Sequence, residues 1–243
     1  MIIWDDEALI LSSSNYSESS LILKVFTKNY GIQKGLVKGA KKRKKSNIYE
    51  PGNFVSIYFK ARTEDMLGIF LVDLLKPSPL IYLNDIKRFS CIISIINLIE
   101  FCLLENEIET ELYECSYDLI HIIFSFGESW IQEYIVWEIF LLKKIGFGLE
   151  LSKCVLSNKT ENLKYISPKS GCAVSEIAGM PWKNKLLNLP SFLISKKIAT
   201  QDELLEGFKI TSNFLNKFSS SINKTLPFTR SSFIDNILED KLN

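Results

Sequence analysis

The run Lys38-Gly39-Ala40-Lys41-Lys42-Arg43-Lys44-Lys45 places six cations in eight residues. Lysine and arginine at this density neutralise phosphates and release the counterions condensed on a nucleic acid. From Lys24 to Arg62 there are 11 basic residues against a single acid, Glu50. Lys24, Lys34, Lys38, Lys60 and Arg62 are placed to extend the run into a DNA-binding groove with Lys41, Lys42, Arg43, Lys44 and Lys45. Phe26, Tyr30, Tyr58 and Phe59 are the aromatics available for base stacking, worth roughly 1–3 kcal/mol per base. Tyr58 and Phe59 are consecutive on a strand and face opposite ways, so at most one of them stacks. The plainer reading of such a run is a loop kept in solution by its lysines. Its concentration in one stretch of a nearly neutral chain favours phosphate binding.

Two further constellations are weaker. Cys154-Val155-Leu156-Ser157 and Cys172-Ala173-Val174-Ser175 each have the form of a C-x-x-C zinc knuckle with serine at the second ligand position. Four thiolates at this spacing hold zinc tetrahedrally, whereas a neutral hydroxyl is a poor replacement. Cys154 and Cys172 therefore read as a metal-free vestige, held by packing of Tyr165, Ile166 and Val174. The single histidine, His121, lies between Ile120 and Ile122 in a helical pattern, with no nucleophile or acid set beside it. Gly35 and Gly39 lack the Gly-Lys-Ser/Thr ending of a phosphate-binding loop. No catalytic residues and no cofactor are assigned, and the chain is not read as an enzyme.

The elements that must carry the cations are strands. Residues 8–14, 21–27, 32–37, 54–61 and 67–75 are β-rich runs separated by turn groups such as Lys28-Asn29-Tyr30-Gly31 and Glu50-Pro51-Gly52-Asn53. Five short strands in about 75 residues suit a small closed barrel, of which the OB-fold is the common strand-binding type. Pro77 and Pro79 end the strands. Helical periodicity follows over 85–105, 109–126 and 129–145, with a less regular knuckle region at about 150–182. Thr200 and Glu203 form a capping box opening another helix, and 231–242 reads as a short last one. The fold class is therefore α+β and multidomain. An OB-fold domain over 1–80 precedes an α-helical domain over 81–243.

Charge divides the 243 residues in the same way. Residues 1–80 net +4, 81–150 net −8 and 151–243 net +5, within a chain of net charge +1. The acidic helical part is poorly suited to DNA and better placed to meet proteins or brace the barrel. Lys183, Lys185, Lys196, Lys197 and Arg230 are candidates for a second basic surface, either for DNA or for an acidic tail. Acids at Asp5, Asp6 and Glu7 replace the basic start of a signal peptide, and five cysteines, an odd number, suit a reducing cytoplasm. The greasiest stretch, 89–104, is too short to cross a bilayer of about 30 Å comfortably.

Several motifs carry a resemblance. Ala8-Leu9-Ile10-Leu11-Ser12, Tyr16-Ser17-Glu18-Ser19-Ser20-Leu21-Ile22, Gly35-Leu36-Val37-Lys38-Gly39-Ala40 and Glu50-Pro51-Gly52-Asn53 resemble the N-terminal domain of the bacterial recombination mediator family RecO. Tyr165-Ile166-Ser167-Pro168-Lys169-Ser170-Gly171, Leu187-Asn188-Leu189-Pro190 and Leu226-Pro227-Phe228-Thr229-Arg230-Ser231 resemble its later part. The resemblance implies an OB-fold, a helical domain behind it and, in some members, a four-cysteine zinc knuckle from which this chain departs at Ser157 and Ser175. It further implies a cytoplasmic, nucleoid-associated DNA repair protein that binds single- and double-stranded DNA and anneals complementary strands. With RecR, such a protein helps RecA load onto DNA coated by single-strand-binding protein, whose acidic C-terminal tail is a partner. The rival class is a protein–protein adaptor of a repair complex with only secondary DNA contact.

Overall fold

In the computed structural model, residues 1–40, 46–63, 66–77, 85–125, 129–195 and 197–238 are described. Five strands close a barrel in the order β1-β2-β3-β5-β4: β1 (Ile2–Asn15), β2 (Leu21–Thr27), β3 (Gly31–Val37), β4 (Phe54–Ala61) and β5 (Gly68–Lys76). β1 serves two neighbours. Its first half pairs with β4, from Ile2↔Ala61 to Leu9↔Phe54, and its second with β2, from Ala8↔Thr27 to Asn15↔Leu21. A bulge between Ile10 and Ser12 bends it from one neighbour to the other.

The strand expected from residue 8 thus begins at Ile2. Three consecutive acids look unlike a strand, yet only alternate side chains turn inward. Asp5 and Glu7 are exposed, and the inward-facing Asp6 accepts hydrogen bonds from the Asn29 backbone N–H (2.7 Å) and Nδ2 (2.9 Å).

Closure rests on a short parallel contact, Gly35↔Gly68 and Leu36↔Ile69. Both residues of its first pair are glycine for a steric reason. A Cβ on Gly35 would sit 2.5 Å from the Phe70 ring, and one on Gly68 would sit 2.0 Å from the Phe59 ring. The barrel interior is filled by Ala8, Ile10, Leu23, Val25, Ile57, Phe59 and Phe70, with Ile48 and Tyr49 packed in from the 3₁₀ turn Ser46–Tyr49.

Packing divides the chain into two compact units, Met1–Tyr117 with Pro227–Asn243, and Asp118–Leu226. The boundary expected after residue 80 falls where strands give way to helices, and α1 beyond it packs in the same unit as the barrel. In the first unit, α1 (Ile86–Cys102) starts at Asp85, whose carboxylate accepts from the backbone N–H groups of Lys87 (2.9 Å) and Arg88 (3.2 Å). It stops short of the expected residue 105, because residues 103–109 leave the helix and turn at Asn106, in the left-handed region, against β3. There Ile32 bridges Glu105 in parallel, and the Asn106 N–H donates to the Ile32 carbonyl at 3.1 Å. The first turns of α2 (Thr110–Phe124) set Tyr113 and Tyr117 edge-on to Phe26 and Phe54. The chain returns at its end, where α6 (Phe228–Leu238) lies on α1 through Asn97–Thr229 and Asn236–Ser90 hydrogen bonds.

In the second unit, α3 (Trp130–Lys144) packs on α5 (Gln201–Ser221), which opens with the Thr200–Glu203 capping box. Between them lie a three-stranded sheet, ordered β7-β6-β8, and a short α4 (Glu176–Gly179). Its strands are β6 (Leu163–Ile166), β7 (Ala173–Ser175) and β8 (Leu187–Asn188). Among the described residues, no helix is long and apolar enough to cross a membrane.

Candidate nucleic-acid interface

The barrel register spreads several candidate cations over the barrel surface. Leu36 lies beside Ile69, Ile69 beside Lys60 and Lys60 beside Ile3, forming one belt across β3, β5, β4 and β1. Lys38 follows the end of β3 and Arg62 the end of β4; because these strands run in opposite directions, the two cations leave the belt toward opposite ends of the barrel. All three cations are exposed, and among the described residues none faces a carboxylate. The β1–β2 turn lies at the same end as Lys38, since Asn15 pairs with Leu21 and Leu21 with Val37. Lys41, Lys42, Arg43, Lys44 and Lys45, which follow Lys38 in the chain, lie outside the described residues.

A second set of cations is engaged elsewhere. Lys24 and Lys34 are direct cross-strand partners on β2 and β3. The Lys24 ammonium lies 3.0 Å from Glu100, that of Lys34 2.5 Å from Glu105, and that of neighbouring Lys28 2.8 Å from Glu114. The carboxylates come from the end of α1, the 103–109 segment and α2. The Glu114 hydrogen bond and charge raise the pKa of Lys28 above the ordinary lysine value. Three of the 11 cations between Lys24 and Arg62 therefore already hold anions supplied by the protein.

The aromatics sort as strand alternation requires. Phe26 and Phe59 fill the core. Tyr30 stacks on Trp4 at 4.3 Å between ring centroids. Tyr58 is exposed on the face it shares with Lys60. Sequence reasoning passed over Tyr16, which is 62 % exposed on the β1–β2 turn, at the same barrel end as Lys38. Its signal was legible: a tyrosine inside the polar turn Asn15-Tyr16-Ser17-Glu18-Ser19 has no core to fill.

Of the second candidate group, Lys183, Lys185 and Lys197 are exposed in the second unit, and Lys196 lies outside the described residues. Arg230 requires a correction. It is only 5 % exposed and sits on α6, in the first unit. It was expected on a second basic surface, but it is one of the buried residues of α6.

The degenerate knuckle keeps its shape around one sulfur. Cys154 is buried against Tyr165 and Val174. Burial pushes its thiol up, but hydrogen bonds from the Ser157 and Ser175 hydroxyls and from the Ser175 and Leu156 backbone N–H groups outweigh this. Together they hold it at about 6. Where a zinc knuckle has two further thiolates, this site has two hydroxyl donors, so its residues do not fit a tetrahedral zinc. Among the described residues no group of three or more His, Cys, Asp or Glu side chains is placed to hold a metal.

Comparison with known proteins agrees along the whole length. The family model for the N terminal of recombination protein O matches residues 1–76, and that for its C terminal matches 83–219. The DNA repair protein RecO of Orientia tsutsugamushi (strain Ikeda) is 35 % identical over 236 residues, covering 96 % of this chain and 97 % of that protein. The DNA repair protein RecO of Bartonella quintana (strain Toulouse) is 37 % identical over 217 residues, 87 % of each. That of Rhodospirillum centenum is 31 % identical over 235 residues, 96 % of this chain and 93 % of its own. With a five-stranded barrel followed by helices and both family regions matched in order, the chain belongs to the RecO family of DNA repair proteins.

Proposed function

We propose that this protein binds single- and double-stranded DNA through the exposed cations of its barrel and anneals complementary strands. With RecR, it helps RecA load onto DNA coated by single-strand-binding protein. The observation that carries this reading is the exposure of Lys38, Lys60 and Arg62 on the barrel, with Lys38 leading into the Lys41–Lys45 run of the sequence. Cations so placed hold phosphates without reading sequence, and their affinity falls with salt as counterions are released. Two strands held against one basic surface repel each other less, which speeds their pairing without an active site. The protein then acts by binding rather than by catalysis, and in the cytoplasm, where the nucleoid lies. An acidic partner tail is drawn to the same sign of charge.

A second reading, an adaptor with only secondary DNA contact, is favoured by one feature. On the outer face of β1, β4 and β5, exposed Tyr58 lies opposite exposed Leu71, with exposed Ile3 diagonal to Tyr58, an apolar group suited to a protein. The two readings separate on the triple variant K38A/K60A/R62A. Fluorescence anisotropy with a single-stranded oligonucleotide at about 0.1 M salt should show an affinity loss of roughly 50-fold. The slope of log affinity against log salt should become shallower by about 2, at about 0.7 per lost phosphate contact. Unchanged affinity and slope would leave the adaptor reading standing.

A further inference from the structure

Between Glu176 and Asp202 the chain carries four lysines and no acid. Within this stretch the 3₁₀ turn Met180–Lys185 presents Trp182 at 56 % exposure, with Met180 and Ile177 also exposed. The other tryptophans are placed quite differently. Trp130 and Trp137 are buried, and Trp4 is sandwiched between Tyr30 at 4.3 Å and Phe59 at 4.6 Å. An indole left in water on a well-fixed backbone calls for a ligand.

The backbone here is fixed. Gly179 presses on the Tyr165 ring so closely that a Cβ would sit 2.5 Å from it. The turn then runs directly into β8, where Asn188 pairs with Tyr165. Three residues per 3₁₀ turn bring Trp182 and Lys185 to the same side. The Lys185 ammonium lies 5.6 Å from the indole centroid, and exposed Lys183 follows the tryptophan directly. The carboxylates bounding the stretch are already engaged. Glu176 pairs with Lys164, and Glu203 accepts from the Ser191 (2.8 Å) and Thr200 (3.0 Å) backbone N–H groups.

We propose that Trp182, Lys183 and Lys185 form a second binding site for single-stranded nucleic acid. A base stacks on the indole, and the lysines hold the flanking phosphates. A flat aromatic beside two cations is sufficient for stacking, which requires no pocket. An acidic peptide would need a cleft for its apolar side chains. The cavity of about 390 Å³ that opens a few residues further on, lined by Leu189, Pro190 and Leu205, holds Asp202, Glu203 and Glu206 against one cation, Lys209, which is itself paired with Glu206, so its charge does not suit such a ligand. The site rests on the reading of this protein as a strand binder but not on the barrel cations, and it gives a second strand its own place on the second unit.

Tryptophan fluorescence of the full chain tests it, because Trp182 is the most exposed of the four indoles. An oligo-dT should quench the wild type and leave W182F largely unquenched. W182A should weaken oligo-dT binding about tenfold at constant salt slope, whereas K183A/K185A should make the slope shallower by about 1.4. The barrel variant K38A/K60A/R62A should still be quenched at higher oligonucleotide concentration, so loss of one site is told from loss of the other. Full quenching of W182F, unchanged affinity of W182A, or quenching of the wild type by an acidic apolar peptide but not by oligo-dT would each overturn the proposal.

Discussion

The β2–β3 face of the barrel and the strand ends beside it carry the same residue types and opposite fates. On the face, Lys24, Lys28 and Lys34 are clasped by Glu100, Glu114 and Glu105. At the ends of β3 and β4, Lys38, Lys60 and Arg62 are exposed. A census of charge along the chain counts both sets alike. What separates them is a carboxylate-bearing segment more than 70 residues away, folded back along β3. The clasp is therefore scaffold, and the binding surface is narrower than the charge run that announces it.

The most severe way to break this comparison is at Gly31. Its φ of +69° is the left-handed conformation, and an added Cβ would lie 2.1 Å from the Glu107 carbonyl oxygen. The carbonyl belongs to backbone that is itself tied to β3 through Asn106 and Ile32, so it cannot yield without lifting the clasp. Gly31→Ala should cost roughly 3 kcal/mol in denaturant unfolding, from the conformational penalty plus the overlap. A loss below about 1 kcal/mol would show that the 103–109 segment is not held against the hairpin as described.

A gentler change sharpens it. E100Q/E105Q/E114Q keeps side-chain shape and removes the internal anions, releasing Lys24, Lys34 and Lys28 to phosphates. Exposed ion pairs contribute little, so stability in denaturant unfolding should change only slightly. Single-strand affinity should rise about fivefold, with a salt slope steeper by about 2. Unchanged affinity and slope would mean that the face is sterically closed to DNA whatever its charge.

These contrasts also show how far sequence reaches. The strands were legible because local signals bound them: β2 and β4 span the expected residues, set off by turn groups such as Glu50-Pro51-Gly52. The Thr200–Glu203 box was legible for the same reason, since its donors and acceptors lie within four residues. The clasp was not, because nothing near Lys24 or Lys34 in sequence foretells Glu100 or Glu105. Arg230 was misread similarly, since it lies buried on α6, which packs on α1, more than 120 residues earlier. Tyr16 stood in plain view, but attention to strand aromatics favoured Phe26 and Phe59, which the core needs.

The smallest effect concerns the clasp's own titration. Lys28 has its pKa raised in the folded protein by the Glu114 hydrogen bond first and the Glu114 charge second. A folded-state value above the unfolded one means that the protonated form binds its partner, so the contribution is fully present below 10.5. It is lost as pH rises through the folded value. Proton-detected nitrogen titration of the lysine ammonium groups should find Lys28 titrating above its ordinary value in the wild type and returning to it in E114Q. If Lys28 titrates identically in both, the Lys28–Glu114 contact is not a lasting part of the clasp, and the hairpin is held by the Gly31 and Asn106 backbone contacts with the remaining two pairs.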